Sequence, residues 1–123
     1  MHRLLHKATF PFKLTNGNDG RGFNWHGTAK DRGRFEKQLR DLGHVRTPFD
    51  RKVIVRVTRH WAKRQREWDS SSVGRGNWKE IEDALVACGW FVDDGPKYIR
   101  ETRYLQVPSV DGVPRTTVEV FEA

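Results

Sequence analysis

The clearest alternation of apolar and polar positions is KVIVRVTRHWA, residues 52–62. Val53, Val55 and Val57 fall on one face and Ile54, Arg56 and Thr58 on the other, which predicts a strand. LLHKATFPF, residues 4–12, predicts an earlier strand with Pro11 near its end. KYIRETRYLQVP (97–108) and RTTVEVFE (115–122) predict two later ones, joined as a hairpin around SVDG and Pro114. Helical spacing appears twice. In TAKDRGRFEKQLRDLG, Phe35, Leu39 and Leu42 fall at i, i+4 and i+7, with Thr28 as cap, Asp31 completing a capping box and Gly43 as stop. In WKEIEDALVACG, Ile81, Leu85 and Cys88 share a face with Ala84, and Gly89 ends the helix. Residues 13–27 are rich in Gly, Asn and Asp and predict a loop; residues 63–77 predict a polar connection. The expected order is β-α-β-α-β-β. It describes a single small α/β (α+β) domain over residues 1–123, with a mixed sheet and two packed helices.

Composition narrows the class. A chain of 123 residues buries one modest core, which dimerisation would enlarge. Five Trp, seven Phe and two Tyr argue against a wholly disordered chain. No apolar run is long enough for a membrane span. The start, MHRLLHKATFPF, is too short and interrupted for a signal peptide. A lone cysteine, Cys88, excludes an internal disulfide and a multi-cysteine metal site, and fits a small buried hydrophobe in a reducing cytosol. The histidines at 2, 6, 26, 44 and 60 have no ligand spacing, so no zinc site is expected. Charge is unevenly placed: residues 1–70 carry 17 Lys and Arg against 7 Asp and Glu, and residues 71–123 carry 6 against 9. A basic body beside an acidic patch suits a nucleic-acid partner near a metal site, and equally a basic protein with no such partner.

The acids near the second helix are Asp69, Asp83, Asp93 and Asp94. Lys79 and Asp83 are four apart and share a helix face. A turn after Gly89 can fold Asp93 and Asp94 back beside them, and Asp69 can reach the same edge through the preceding loop. Clustered carboxylates repel unless a cation neutralises them, and Mg²⁺ takes such hard oxygen ligands while keeping several waters. The ion would activate water and neutralise charge on a phosphate. RHWAKRQR, with Arg59, Lys63, Arg64 and Arg66, supplies cations for backbone phosphates. Plainer roles stay open. Asp83 can pair with Lys79 on a solvated face, Asp93 and Asp94 can form a turn before Gly-Pro, Asp69 can cap a turn, and the basic run can be solvated. Trp90 and Phe91 read as core.

KEIEDALVACGWFVDDGPKY resembles the second helix and following turn of the RusA-like Holliday junction resolvases, small endodeoxyribonucleases mostly encoded by phages or prophages. The matching positions are Lys79, Asp83, Ala84, Leu85, Gly89, Asp93 and Asp94. Upstream, VIVRV…KRQREWD is similar to the family's strand, arginine-rich stretch and aspartate, and FPFKLTNGND to its Pro-containing strand and Asn-rich loop. The resemblance implies a homodimer that binds branched DNA and cuts it with Mg²⁺ or Mn²⁺. It places Asp69 as the first motif acid, Asp94 as the late acid and Lys79 as the assisting lysine. The family's Asp-x-Asp-Asn becomes Asp69, Ser70, Ser71 and Ser72, so one carboxylate is missing.

The expectation is therefore metal-dependent, structure-selective cleavage of branched DNA such as Holliday junctions, with roles in recombination and repair in a bacterial host's cytoplasm. Asp69 and Asp94 are the principal ligands, Asp83 and Asp93 support or replace the lost acid, and Lys79 steadies the phosphate. Arg59, Lys63, Arg64 and Arg66 hold the backbone. The alternatives are a junction-binding protein without cleavage and a phage structural or assembly protein.

Overall fold

The computed structural model of the protein describes residues 2–16, 25–69 and 72–123. The elements are β1 (Leu4–Phe10), α1 (Trp25–Asp41), β2 (Val53–Trp61), α2 (Trp78–Ala87), β3 (Ile99–Pro108) and β4 (Arg115–Glu122). The expected order β-α-β-α-β-β is the order found, in a small α+β domain with a mixed sheet and two packed helices.

The sheet runs β1-β4-β2-β3. β4 lies antiparallel to both β1 and β2, and β3 lies parallel to β2. The expected hairpin of the last two strands therefore does not form. Burial explains the difference. β2 and β4 are buried along most of their length and occupy the centre, whereas β3 alternates into solvent and takes an edge. Residues 109–114 step over the end of β2 to carry the chain from that edge to the centre. Ser109 N–H donates to Trp61 carbonyl (3.0 Å), and Lys63 N–H to Gly112 carbonyl (3.2 Å).

The core lies between one sheet face and the two helices. Val53, Val55 and Val57 of β2, Val118 and Val120 of β4, and Phe10 of β1 meet Phe35 and Leu39 of α1 and Ile81, Ala84 and Leu85 of α2. Cys88, Trp90 and Phe91 join them, as expected, and the Trp90 indole donates to His44 carbonyl (2.9 Å). α1 begins at Trp25, so Thr28 lies inside the helix and is not its cap. Leu42 is exposed because the helix has already ended, and Gly43 reverses the chain at φ 80°.

Gly89, at φ 87°, is fixed by a close approach as well as by its conformation. A Cβ there would stand 2.1 Å from Arg46 carbonyl. Asn77 precedes α2 in the cap position but makes no side-chain cap hydrogen bond. The Asn77 amide instead ties the segment after β1, accepting from Thr15 N–H (2.9 Å) and donating to Lys13 carbonyl (2.8 Å). Among the described residues no helix is long and apolar enough to cross a membrane.

Candidate metal centre

The buried stripe of α2 leaves Lys79, Glu82 and Asp83 together on the flank beside it, at i, i+3 and i+4. The turn after Gly89 then brings Asp94 back to that flank. Lys79 is the hub. Its ammonium donates to Asp94 in a short contact, stands 3.1 Å from Asp83 and reaches Glu82 at 3.6 Å. One oxygen each from Glu82, Asp83 and Asp94 lies within 4.8 Å of the others.

Proton affinities follow from these contacts. The hydrogen bond to Asp94 raises the Lys79 ammonium above its ordinary value, so Lys79 stays charged. The Lys79 hydrogen bond holds Asp94 below the usual carboxylate range, against the opposing effect of burial. Glu82 moves the other way. Burial and then the hydrogen bond with Asp94 push it up to about 7, despite the pull of Lys79. At neutral pH a proton thus resides part of the time on Glu82, shared toward Asp94. Burial and then the Glu82 charge raise the phenol of Tyr104 on β3. Gly74 makes room for that ring, since a Cβ there would lie 2.7 Å from it.

Asp83, Asp93 and Asp94 also line an open cleft of about 320 Å³ between α1 and α2, with Arg32 and Glu36 on the α1 side. The donor set suits a small hard cation. Ligands at about 2.1 Å in an octahedron stand about 3–4 Å apart, so a spacing of up to 4.8 Å closes by side-chain rotation. Lys79 must then give up at least one of its carboxylates. Glu82, Asp83 and Asp94 are the residues that could hold the ion.

Several sequence expectations change here. Asp83 and Asp94 fall in the cluster, together with Lys79. Asp93 is exposed and lines the cleft, but it touches the cluster through Asp94 and contributes no oxygen to the trio. Asp69 is exposed and lies outside the trio. The chain just before it is anchored on β3: Trp68 N–H donates to Gln106, whose amide donates back to Trp68 carbonyl, both at 2.9 Å. Ser71, the position of the missing motif acid, lies outside the described residues, as does Ser70.

Arg59 is a further correction. It is 2% exposed, with its guanidinium 3.3 Å from the centre of the Trp68 ring. It donates to Arg66 carbonyl and Gln106, each at 2.9 Å. Its place in the basic run suggested a phosphate contact, but it shares the parity of buried Val53, Val55 and Val57 and Trp68 folds over it, so it organises the connection and does not meet a phosphate. Lys63, Arg64 and Arg66 are exposed as a phosphate contact requires.

Sequence reasoning missed Glu82. Its signal was present: it sits three residues after Lys79, the spacing that complements the four-residue step to Asp83. Its role depends on burial and on Asp94 folding back, and spacing along one helix shows neither.

No family model matches the chain, and no curated protein matches it. The descriptors drawn from the RusA-like resemblance, namely endonuclease, Holliday junction resolvase, DNA recombination and repair, phage protein and homodimer, thus find no support in these comparisons and do not stand as labels for this chain; its site has to be read from its own residues.

Proposed function

We propose that the acidic flank of α2 holds one hydrated divalent cation, Mg²⁺ or Mn²⁺, and that the protein uses it to hydrolyse phosphodiester bonds in branched DNA. The observation that carries this reading is the convergence of Glu82, Asp83 and Asp94 on Lys79. Three carboxylates with one shared ammonium are under-neutralised, and hard oxygens at this spacing favour a divalent ion with retained waters. When bound, the ion supplies charge neutralisation at the phosphate and a water of lowered pKa.

The chain's own groups do the rest. Asp83 and Asp94 provide fixed negative charge. With an ion held there, Glu82 would lose its proton to solvent and would accept a hydrogen bond from an ordered water. Lys79, released from part of its carboxylate contact, turns its ammonium to a non-bridging phosphate oxygen. Lys63, Arg64 and Arg66 bear on neighbouring phosphates, without reading sequence. Cys88, buried and alone, suits a reducing cytosol.

A second reading has its own support. Lys79 already pairs with all three carboxylates, and Asp69 contributes no oxygen to the trio, so the same surface can be a self-neutralised network in a protein that binds DNA without cutting it. A labelled four-way junction and a matched duplex, incubated with Mg²⁺ or Mn²⁺ and separated by gel, distinguish the two. Junction cleavage by the wild type, lost in Asp94→Asn with binding retained, supports hydrolysis. Binding without cleavage under either ion supports the second reading, and absence of both defeats each.

A further inference from the structure

The carboxylates form only one wall of the cleft. The other is α1, and it carries one cation in the cleft, Arg32. Among the described side chains of α1 the cations are Lys30, Arg32, Arg34, Lys37 and Arg40. Three of them are matched along the helix: Arg34 with Asp31 (3.2 Å), Lys37 with Asp41 (2.8 Å) and Arg40 with Glu36 (3.1 Å). The Arg40 match matters, because Glu36 is the i+4 acid that Arg32 would otherwise take. Arg32 is left exposed and without an ion pair among the described residues, opposite Asp83, Asp93 and Asp94.

Gly33 adds an independent observation. A glycine inside a helix costs about 0.5–1 kcal/mol relative to alanine, and nothing lies within 4 Å of a Cβ built there. Among the described residues no neighbour requires the glycine. Gly33 is exposed and follows Arg32 directly in the helix. The backbone next to Arg32 is therefore open to close approach, as far as the described residues go.

We infer that Arg32 is a positioning residue: it binds a backbone phosphate of the DNA strand lying in the cleft and sets that strand against the carboxylate wall. The inference rests on the reading of the site proposed above for its substrate class. The physical need is plain. A strand approaching Asp83, Asp93 and Asp94 meets like charge. Even a bound divalent ion draws in only the phosphate it touches, and the next phosphate needs a cation of its own. A guanidinium offers a planar fork that matches two phosphate oxygens. Lys79 cannot serve both walls, because its one ammonium sits on α2 and is committed to the phosphate at the carboxylates.

The test compares wild type, Arg32→Ala, Arg32→Lys and Arg32→Glu. Affinity for a fluorescent four-way junction is measured in EDTA across a salt series, and cleavage separately with Mg²⁺. Arg32→Ala should weaken binding about five- to tenfold at low salt and reduce the salt slope by about 0.9, the share of one phosphate contact. Arg32→Lys should restore the slope but only part of the affinity, and Arg32→Glu should lose more than the alanine variant. Melting temperatures should stay at the wild-type value, since the side chain is exposed. If wild type binds but never cuts, while Arg32→Ala still weakens binding, the phosphate contact stands and hydrolysis falls. If wild type cuts and Arg32→Ala binds with unchanged affinity and slope, the Arg32 contact is overturned and hydrolysis stands. A wild type that binds no DNA overturns both.

Discussion

Glu82→Gln isolates the strained member of the acidic cluster. The Glu82 side chain is 13% exposed, and its pKa rises from 4.5 to about 7 on folding. The folded protein therefore holds a proton on Glu82 that the unfolded chain has released. Between those two values the native state binds more protons than the unfolded state, so stability falls as pH rises through the window and stays lower above it. Each tenfold difference in proton affinity corresponds to about 1.4 kcal/mol, which caps the loss at about 3 kcal/mol by pH 8. Glutamine is uncharged at every pH, and its amide can donate to Asp94 as the protonated acid does. In EDTA, Glu82→Gln should match wild type near pH 4.5 and exceed it by about 1–3 kcal/mol at pH 8. Urea unfolding at several pH values measures the difference. Parallel stability curves for the two proteins from pH 4.5 to 8.5 would refute the reasoning, since Glu82 would then have no abnormal proton affinity.

Other expectations follow from the same contacts. A cation bound by Glu82 must displace its proton, so Mn²⁺ affinity should rise with pH up to about 7 and level off above it; calorimetric titrations at pH 6 and pH 8 check this. Gly89→Ala places a methyl group 2.1 Å from Arg46 carbonyl at a φ of 87°, and should destabilise the fold by at least about 1–2 kcal/mol in thermal unfolding. Arg59→Ala removes a buried guanidinium and leaves Gln106 and Arg66 carbonyl short of a donor, costing about 2–4 kcal/mol. Arg64→Ala, on an exposed side chain, should leave the melting temperature unchanged while weakening DNA binding in a salt-dependent way; anisotropy and thermal melts on both variants separate the two kinds of arginine.

Local periodicity carried most of the fold. The Val53, Val55, Val57 alternation and the Ile81, Leu85, Cys88 stripe are short-range patterns, and both elements formed where the pattern lay. Strand order was not legible in the same way. RTTVEVFE reads as a strand wherever it sits, and only its burial against both β1 and β2 puts it between them. The contiguity of the last two strands suggested a hairpin, yet β2 was the better partner for each. The site divides along the same line. Lys79 and Asp83 were visible as an i, i+4 pair, and Asp94 as the end of a turn. Glu82 was not, because its importance comes from burial and a returning loop. Arg59 misled for the converse reason: a strand arginine in a basic run looks like a phosphate ligand until Trp68 covers it.

The claim that the α2 carboxylates take a divalent cation is tested most directly by Mn²⁺ itself. Titration of the ion into DNA-free protein at pH 8, followed by the electron paramagnetic resonance of free Mn²⁺, gives the number of sites and their affinity. One bound ion per chain in the wild type is expected, with Asp94→Asn binding far more weakly and Asp69→Asn binding as wild type does. A free-ion signal that is the same with and without protein would contradict the claim, as would binding that survives Asp94→Asn but is lost in Asp69→Asn.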